Sequence, residues 1–186
     1  MQHVALSSFD KGRCEPFFDK LTEYFRQHHH SVEGDADGYE ELLYRVRRPY
    51  PTQRLAMIDA WMGLEKRDWR EETQREVMLA LYAIRYPDTL LLESFTEKAR
   101  SDLRRLSAYL HFTNHTYAIW DEDTRMGLVK LGIEIPATES ADPFVYGAYV
   151  SAIELLKDVA PFTCFIEHDV PRQRRLQAAL AAYGRE

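Results

Sequence analysis

Apolar side chains recur along this chain at the spacing of a helix face. Phe17, Phe18, Leu21, Tyr24 and Phe25 occupy positions i, i+1, i+4, i+7 and i+8, which predicts an amphipathic helix. "SVEGDADG" then interrupts the pattern with glycines and acids, and its "EGDADG" core is the one stretch expected to be mobile. A short helix fits "YEELLYRV". "RRPYP" ends it, because each proline removes a donor and disfavours helix just before itself. Leu55, Ile58, Trp61 and Met62 mark a further helix, and Val77, Met78, Leu81, Tyr82 and Ile84 another that runs up to Pro87.

In the second half the ends of the helices carry signals as well. Ser94 and Glu97 read as an S-x-x-E capping box ahead of the run Ala99, Leu103, Leu106, Leu110. A helix starting near Asp121 to Thr124 stops at Gly132, a normal residue just past a helix end. "ADPF" combines an aspartate cap with proline in the first turn, and Val145, Tyr149, Ala152, Ile153 and Leu156 carry that helix on. "DVPRQRRLQAALAAYG" opens on proline and closes on glycine, with Leu176, Ala179, Leu180 and Tyr183 as its apolar positions. "PFTCFIEH" is the best strand candidate and fits an extended connector equally well. With no repeat and no long linker, the expectation is an all-α fold of about eight helices. Residues 1–186 would form a single compact unit, or one with two lobes at about 1–90 and 91–186.

Composition narrows the classes. An apolar fraction of 45% with 11 Tyr, 9 Phe and 3 Trp supplies a core and argues against disorder. A formal net charge of -6 gives no long-range attraction to nucleic acid, so DNA binding would need local patches. No apolar run approaches the ~20 residues of a membrane span, and "MQHVALSSFDKGR" lacks the apolar centre of a leader. Cys14 and Cys164, far apart, read as free thiols in a reducing compartment, so a cytoplasmic location is expected. Consecutive His28, His29 and His30 would point in different directions on a helix, and with Asp35 and Asp37 nearby they read as a polar helix end rather than a metal site. His111 reads as a hydrogen-bonded core histidine. No cofactor fingerprint, P-loop or Ser-His-Asp arrangement is present.

One block carries a family pattern. "AYLHFTNHTYAIWDEDTRMGLVKLGI" resembles a region of the helix-hairpin-helix DNA glycosylase superfamily. There a helix ends in A-x-L-x-F, a loop leads to an apolar residue and an aspartate, and a helix runs on to L-G-I. Ala108, Leu110 and Phe112 stand for the first part, Trp120 and Asp121 for the second, and Leu131, Gly132 and Ile133 for the third. "YGAYVSAIELL" and "PRQRRLQAALAAYG" are similar to the closing helices of small bacterial members. The resemblance covers roughly the last half of the chain, and the first half matches only as helical. The family's glycine hairpin, G-V-G-x-K, is absent. Arg100, Ser101 and Asp102 stand at the G-V-G positions and Arg104 at the lysine. A guanidinium cannot form a Schiff base, so no lyase reaction is implied.

The resemblance implies a monofunctional DNA glycosylase-like protein with Asp121 as its catalytic carboxylate and Tyr117 and Trp120 as pocket residues. N-glycosidic cleavage builds positive charge on the sugar, and a carboxylate beside the anomeric carbon stabilises that charge and orients or deprotonates a water. The base must first be flipped out of the stack. An aspartate at a helix start is equally an ordinary cap, worth about 1 kcal/mol. The cap in "DEDTR" falls on Asp121 or Asp123, while Glu122 suits the helix dipole. DNA contact would rest on Arg100, Arg104, Arg105, Arg125, Arg172, Arg174 and Arg175, in clusters that elsewhere serve as solvated helix faces. The alternative is a non-catalytic nucleic-acid-binding or protein-interaction module on the same fold, favoured by the altered hairpin and the acidic charge.

Overall fold

A computed structural model describes residues 10–28, 36–47, 51–84, 89–138, 140–165 and 170–186. Among these the chain is all-helical. The elements are α1 (Lys11–His28), α2 (Ala36–Arg45), α3 (Pro51–Trp61), α4 (Glu71–Ala83), α5 (Glu97–Arg100), α6 (Leu103–Thr113), α7 (Glu122–Lys130), α8 (Pro143–Val159) and α9 (Arg172–Arg185), with 3-10 turns at Thr89–Ser94 and Phe162–Phe165. No strand occurs among the described residues, and "PFTCFIEH" begins as the second 3-10 turn. Most of "SVEGDADG" lies outside the described residues. Among the described residues no helix is long and apolar enough to cross a membrane.

Two helices form the centre. α6 is buried from Arg105 to Phe112 and α9 from Arg174 to Ala182, on every face. A helix with no solvent face belongs in a core. α7 and α1 both pack along α9, α8 packs on α9 and on the first 3-10 turn, and α3 and α4 pack on α6. The first described helix, α1, therefore lies against the last, α9. Leu128, Leu176 and Leu180 have no exposure, and fully burying a leucine is worth about 1.5–3 kcal/mol.

The α7–α9 contact depends on two glycines. A Cβ on Gly127 would lie 2.2 Å from the Leu180 carbonyl oxygen, and one on Gly184 would lie 2.0 Å from that of Asp123. The two backbones meet with nothing between them. Gly184 therefore sits inside α9 rather than ending it, contrary to its reading as a terminal glycine.

Other ends follow local chemistry. Asp142 caps α8 by accepting from the Phe144 and Val145 amides, with Pro143 in the first turn, as expected. Gly132, at φ 85°, ends α7 in a Schellman motif, with Ile133 N–H donating to Leu128 O at 3.0 Å and Gly132 N–H to Val129 O at 2.9 Å. Gly63, at φ 63°, does the same for α3. The Ser94–Glu97 capping box does not form. Ser94 Oγ instead donates to Leu91 O at 2.6 Å, and Thr96 caps α5 through the Ala99 amide. The expected single helix breaks at Ser101–Asp102, and Asp102 caps α6 through the Arg105 amide at 3.2 Å.

Candidate functional site

The segment between α6 and α7 is buried irregular backbone, so each of its polar groups needs a partner. Side chains from three helices provide them. His111 Nδ1 donates to Tyr117 O at 2.6 Å, Tyr146 Oη to Ala118 O at 2.8 Å, and Tyr149 Oη to Ile119 O at 2.8 Å. Gln177 Nε2 also donates to Ile119 O. Trp120 N–H donates to Ser107 Oγ at 2.7 Å. Three successive carbonyls and the next amide are thus held by buried groups on α6, α8 and α9.

This clamped segment delivers Asp121 to the start of α7. Its Oδ2 accepts from Thr124 N–H at 2.8 Å and from Thr124 Oγ1 at 2.7 Å, the geometry of an N-cap. The residue is half-buried, and no described residue donates to Oδ1. One oxygen therefore ties down the helix and the other is left over. The cap falls on Asp121, not Asp123. The two acids that follow are paired on the surface: Glu122 holds Arg125, with Nη2 at 2.5 Å, and Asp123 holds Arg185.

Tyr117 and Trp120 are packed inward. Tyr117 has no exposure and stacks on Tyr146 at 6.4 Å and 4°, while Trp120 is 7% exposed and lies 4.9 Å from the Tyr149 ring. Both belong to the wall behind Asp121.

The arginines expected to face phosphate divide into two sets. Arg104 and Arg172 are exposed, and the Arg172 guanidinium lies 4.6 Å from the Phe162 ring centre. Arg100 and Arg125 are half-buried, and Arg125 Nη1 donates to Ile135 O at 2.8 Å. Arg105, Arg174 and Arg175 are interior, at 7%, 6% and 3% exposure. Arg105 meets Asp59 and Asp102, donates to Glu65 O and lies over Trp69. Arg174 lies 5.5 Å and 5.7 Å from the Tyr39 and Trp61 ring centres. Arg175 donates to Cys164 O and covers Phe25, and burial pulls its pKa down. A planar, weakly hydrated guanidinium can enter a core flat against rings. The structure thus does not gather the seven on one face.

Beside α6 lies a second polar centre. Asp59 accepts from the Tyr109 hydroxyl at 2.5 Å and forms ion pairs with Arg67 and Arg105, whose Nε atoms lie at 3.2 Å and 3.3 Å. Burial pushes the Asp59 carboxyl up, while Tyr109 and the two guanidiniums pull against it. Sequence reading missed Asp59, Ser107, Tyr146, Tyr149 and Gln177. Their only sequence signal is a polar residue inside an otherwise apolar helical run.

His111 matches its expected core role and exceeds it. It has no exposure, its Nδ1–H is committed to Tyr117 O, and its Nε2 accepts from Tyr39 Oη at 2.7 Å. Burial, reinforced by Arg174, pushes its pKa down to about 3. Unfolded, the ring titrates near 6.5, so between those values only the unfolded chain binds the proton. Its contribution is complete above about pH 6.5 and is lost on acidification at about 1.4 kcal/mol per pH unit. Urea melts from pH 7 to 5 should show this loss, with a shallower slope in His111→Gln. The His111 ring resonances should stay untitrated down to pH 4.

Both cysteines are free, as expected, and both are buried. No group of three or more His, Cys, Asp or Glu among the described residues could hold a metal ion, and the side chains of His28, His29 and His30 lie outside the described residues. A surface groove along α4, lined in part by Arg70, Thr73, Glu76, Leu79 and Leu91, carries mixed charge and does not include Asp121. No family model, curated protein or solved structure matches this chain.

Proposed function

We propose that this chain processes DNA bases in the manner of a monofunctional glycosylase, with Asp121 as its carboxylate. The observation that carries the reading is the spare oxygen. Asp121 is half-buried at the positive end of α7, spends Oδ2 on its cap and leaves Oδ1 unbonded by any described residue. The order of elements, with α6 ending just past Phe112, a loop to Asp121 and α7 closing at Gly132, fits the motif that suggested the family. In the reaction the bond from C1′ to the base nitrogen breaks and the base leaves with the electron pair. A water oxygen bonds to C1′, and Oδ1 takes its proton. Of the seven arginines expected to meet phosphate, Arg104 and Arg172 are the two that are exposed.

A second reading, the same fold without catalysis, is favoured by Asp102. Its carboxylate takes the Arg105 amide and pairs with the Arg105 guanidinium at 3.2 Å. The chain's own anion thus occupies the helix start where the family's hairpin amides would meet phosphate. Incubation with oligonucleotides carrying assorted base lesions separates the two. Abasic sites support the enzyme. Salt-dependent binding without product supports the module, and neither binding nor product removes both.

A further inference from the structure

The Ile119 carbonyl receives two donors where one would satisfy it. Tyr149 Oη is 2.8 Å away, and Gln177 Nε2 adds a second bond. Gln177 is 1% exposed, and its Oε1 is buried with no hydrogen-bond partner. A buried amide with an unmet oxygen costs stability, and an apolar residue of the same shape would avoid that cost. Polar satisfaction alone therefore does not explain a glutamine here. The residue sits beside the cap: its carbonyl accepts from Thr124 Oγ1 at 3.4 Å, and its Nε2 lies 3.4 Å from Tyr149 Oη. The Asp121 amide and the Thr124 hydroxyl both face Tyr149 Oη.

We infer that Tyr149 and Gln177 are positioning residues for Asp121, fixing the backbone two residues ahead of it so that Oδ1 keeps one location. This rests on Asp121 being the reacting carboxylate. Neither side chain touches substrate; both act through the Ile119 carbonyl, and Tyr149 also through the Asp121 amide. A group held this tightly loses little freedom at the moment of reaction, and small misplacements are costly in rate.

Gln177→Met tests it, because methionine keeps the shape and removes both the donor and the unmet oxygen. Its melting temperature should equal or exceed that of the parent. Amide exchange at Trp120 and Asp121 should rise at least tenfold while α9 stays protected. On whichever lesion duplex the parent cleaves, kcat should fall at least tenfold with KM within twofold. Tyr149→Phe, which deletes one hydroxyl, should show the same split. Unchanged exchange at those two amides, or unchanged kcat on a cleaved duplex, overturns the inference. Absence of cleavage by the parent removes the glycosylase reading, and the exchange measurement still decides the clamp.

Discussion

Asp59→Ala should destabilise the protein by about 3–5 kcal/mol, the usual consequence of removing one partner from a buried ion pair. For a chain of this size that lowers the melting temperature by roughly 6–20 °C. The size follows from what remains. Arg67 and Arg105 keep their charges with side chains only 12% and 9% exposed, and Tyr109 keeps a hydroxyl aimed at a missing acceptor. Asp59→Asn should cost less, because the amide oxygen still accepts from Tyr109. A double replacement of Asp59 and Arg105 should cost less than the sum of the single ones, because one of the two guanidiniums that lose Asp59 is removed with it. Urea denaturation of the parent, the two single replacements and the double one measures this. Additive losses would mean that the network is only a set of independent contacts.

Gly127→Ala should cost about 3 kcal/mol, at the upper end of overpacking effects. The added methyl would meet the Leu180 backbone, which has no side-chain rotation to yield with. Alanine normally favours a helix interior by about 1 kcal/mol over glycine, so a loss here would have the opposite sign to propensity. Gly184→Ala should behave alike against the Asp123 carbonyl, and the pair should be non-additive because both open the same crossing. Thermal melts decide it, and a stabilised Gly127→Ala would contradict the α7–α9 contact.

Where the sequence was legible, the signal was local. Asp142-Pro143 and Gly132 specify their helix ends through their own backbone chemistry, and both ends appear as expected. The Ser94–Glu97 box has the right spacing too, yet Ser94 donates to Leu91 O and two later residues do the capping. Several hydroxyls and acids compete within ten residues, and only packing chooses among them. The burial of three of the arginines was illegible for a related reason. A cluster counts charge but not direction, and Arg105, Arg174 and Arg175 sit in the stretches of α6 and α9 that are buried on every face. Gly127 gives no signal in the sequence, because its reason lies on α9, over fifty residues away.

The candidate site was half legible. Asp121 could be named from "WDEDTR", with the cap left between it and Asp123. The clamp could not, because His111, Tyr146, Tyr149 and Gln177 are brought together only by folding. Tyr117 and Trp120 stand close to Asp121 in sequence, but packing turns their rings inward.

The most direct test compares the parent protein with Asp121→Asn on lesion-containing duplexes under single-turnover conditions, scored as abasic sites. Asparagine caps helices as well as aspartate, so the variant should melt with the parent, whereas Asp121→Ala should lose about 1 kcal/mol. The account predicts base release by the parent and at least a hundredfold slower release by the folded asparagine variant. Equal rates from both proteins would leave Asp121 as nothing more than the cap of α7.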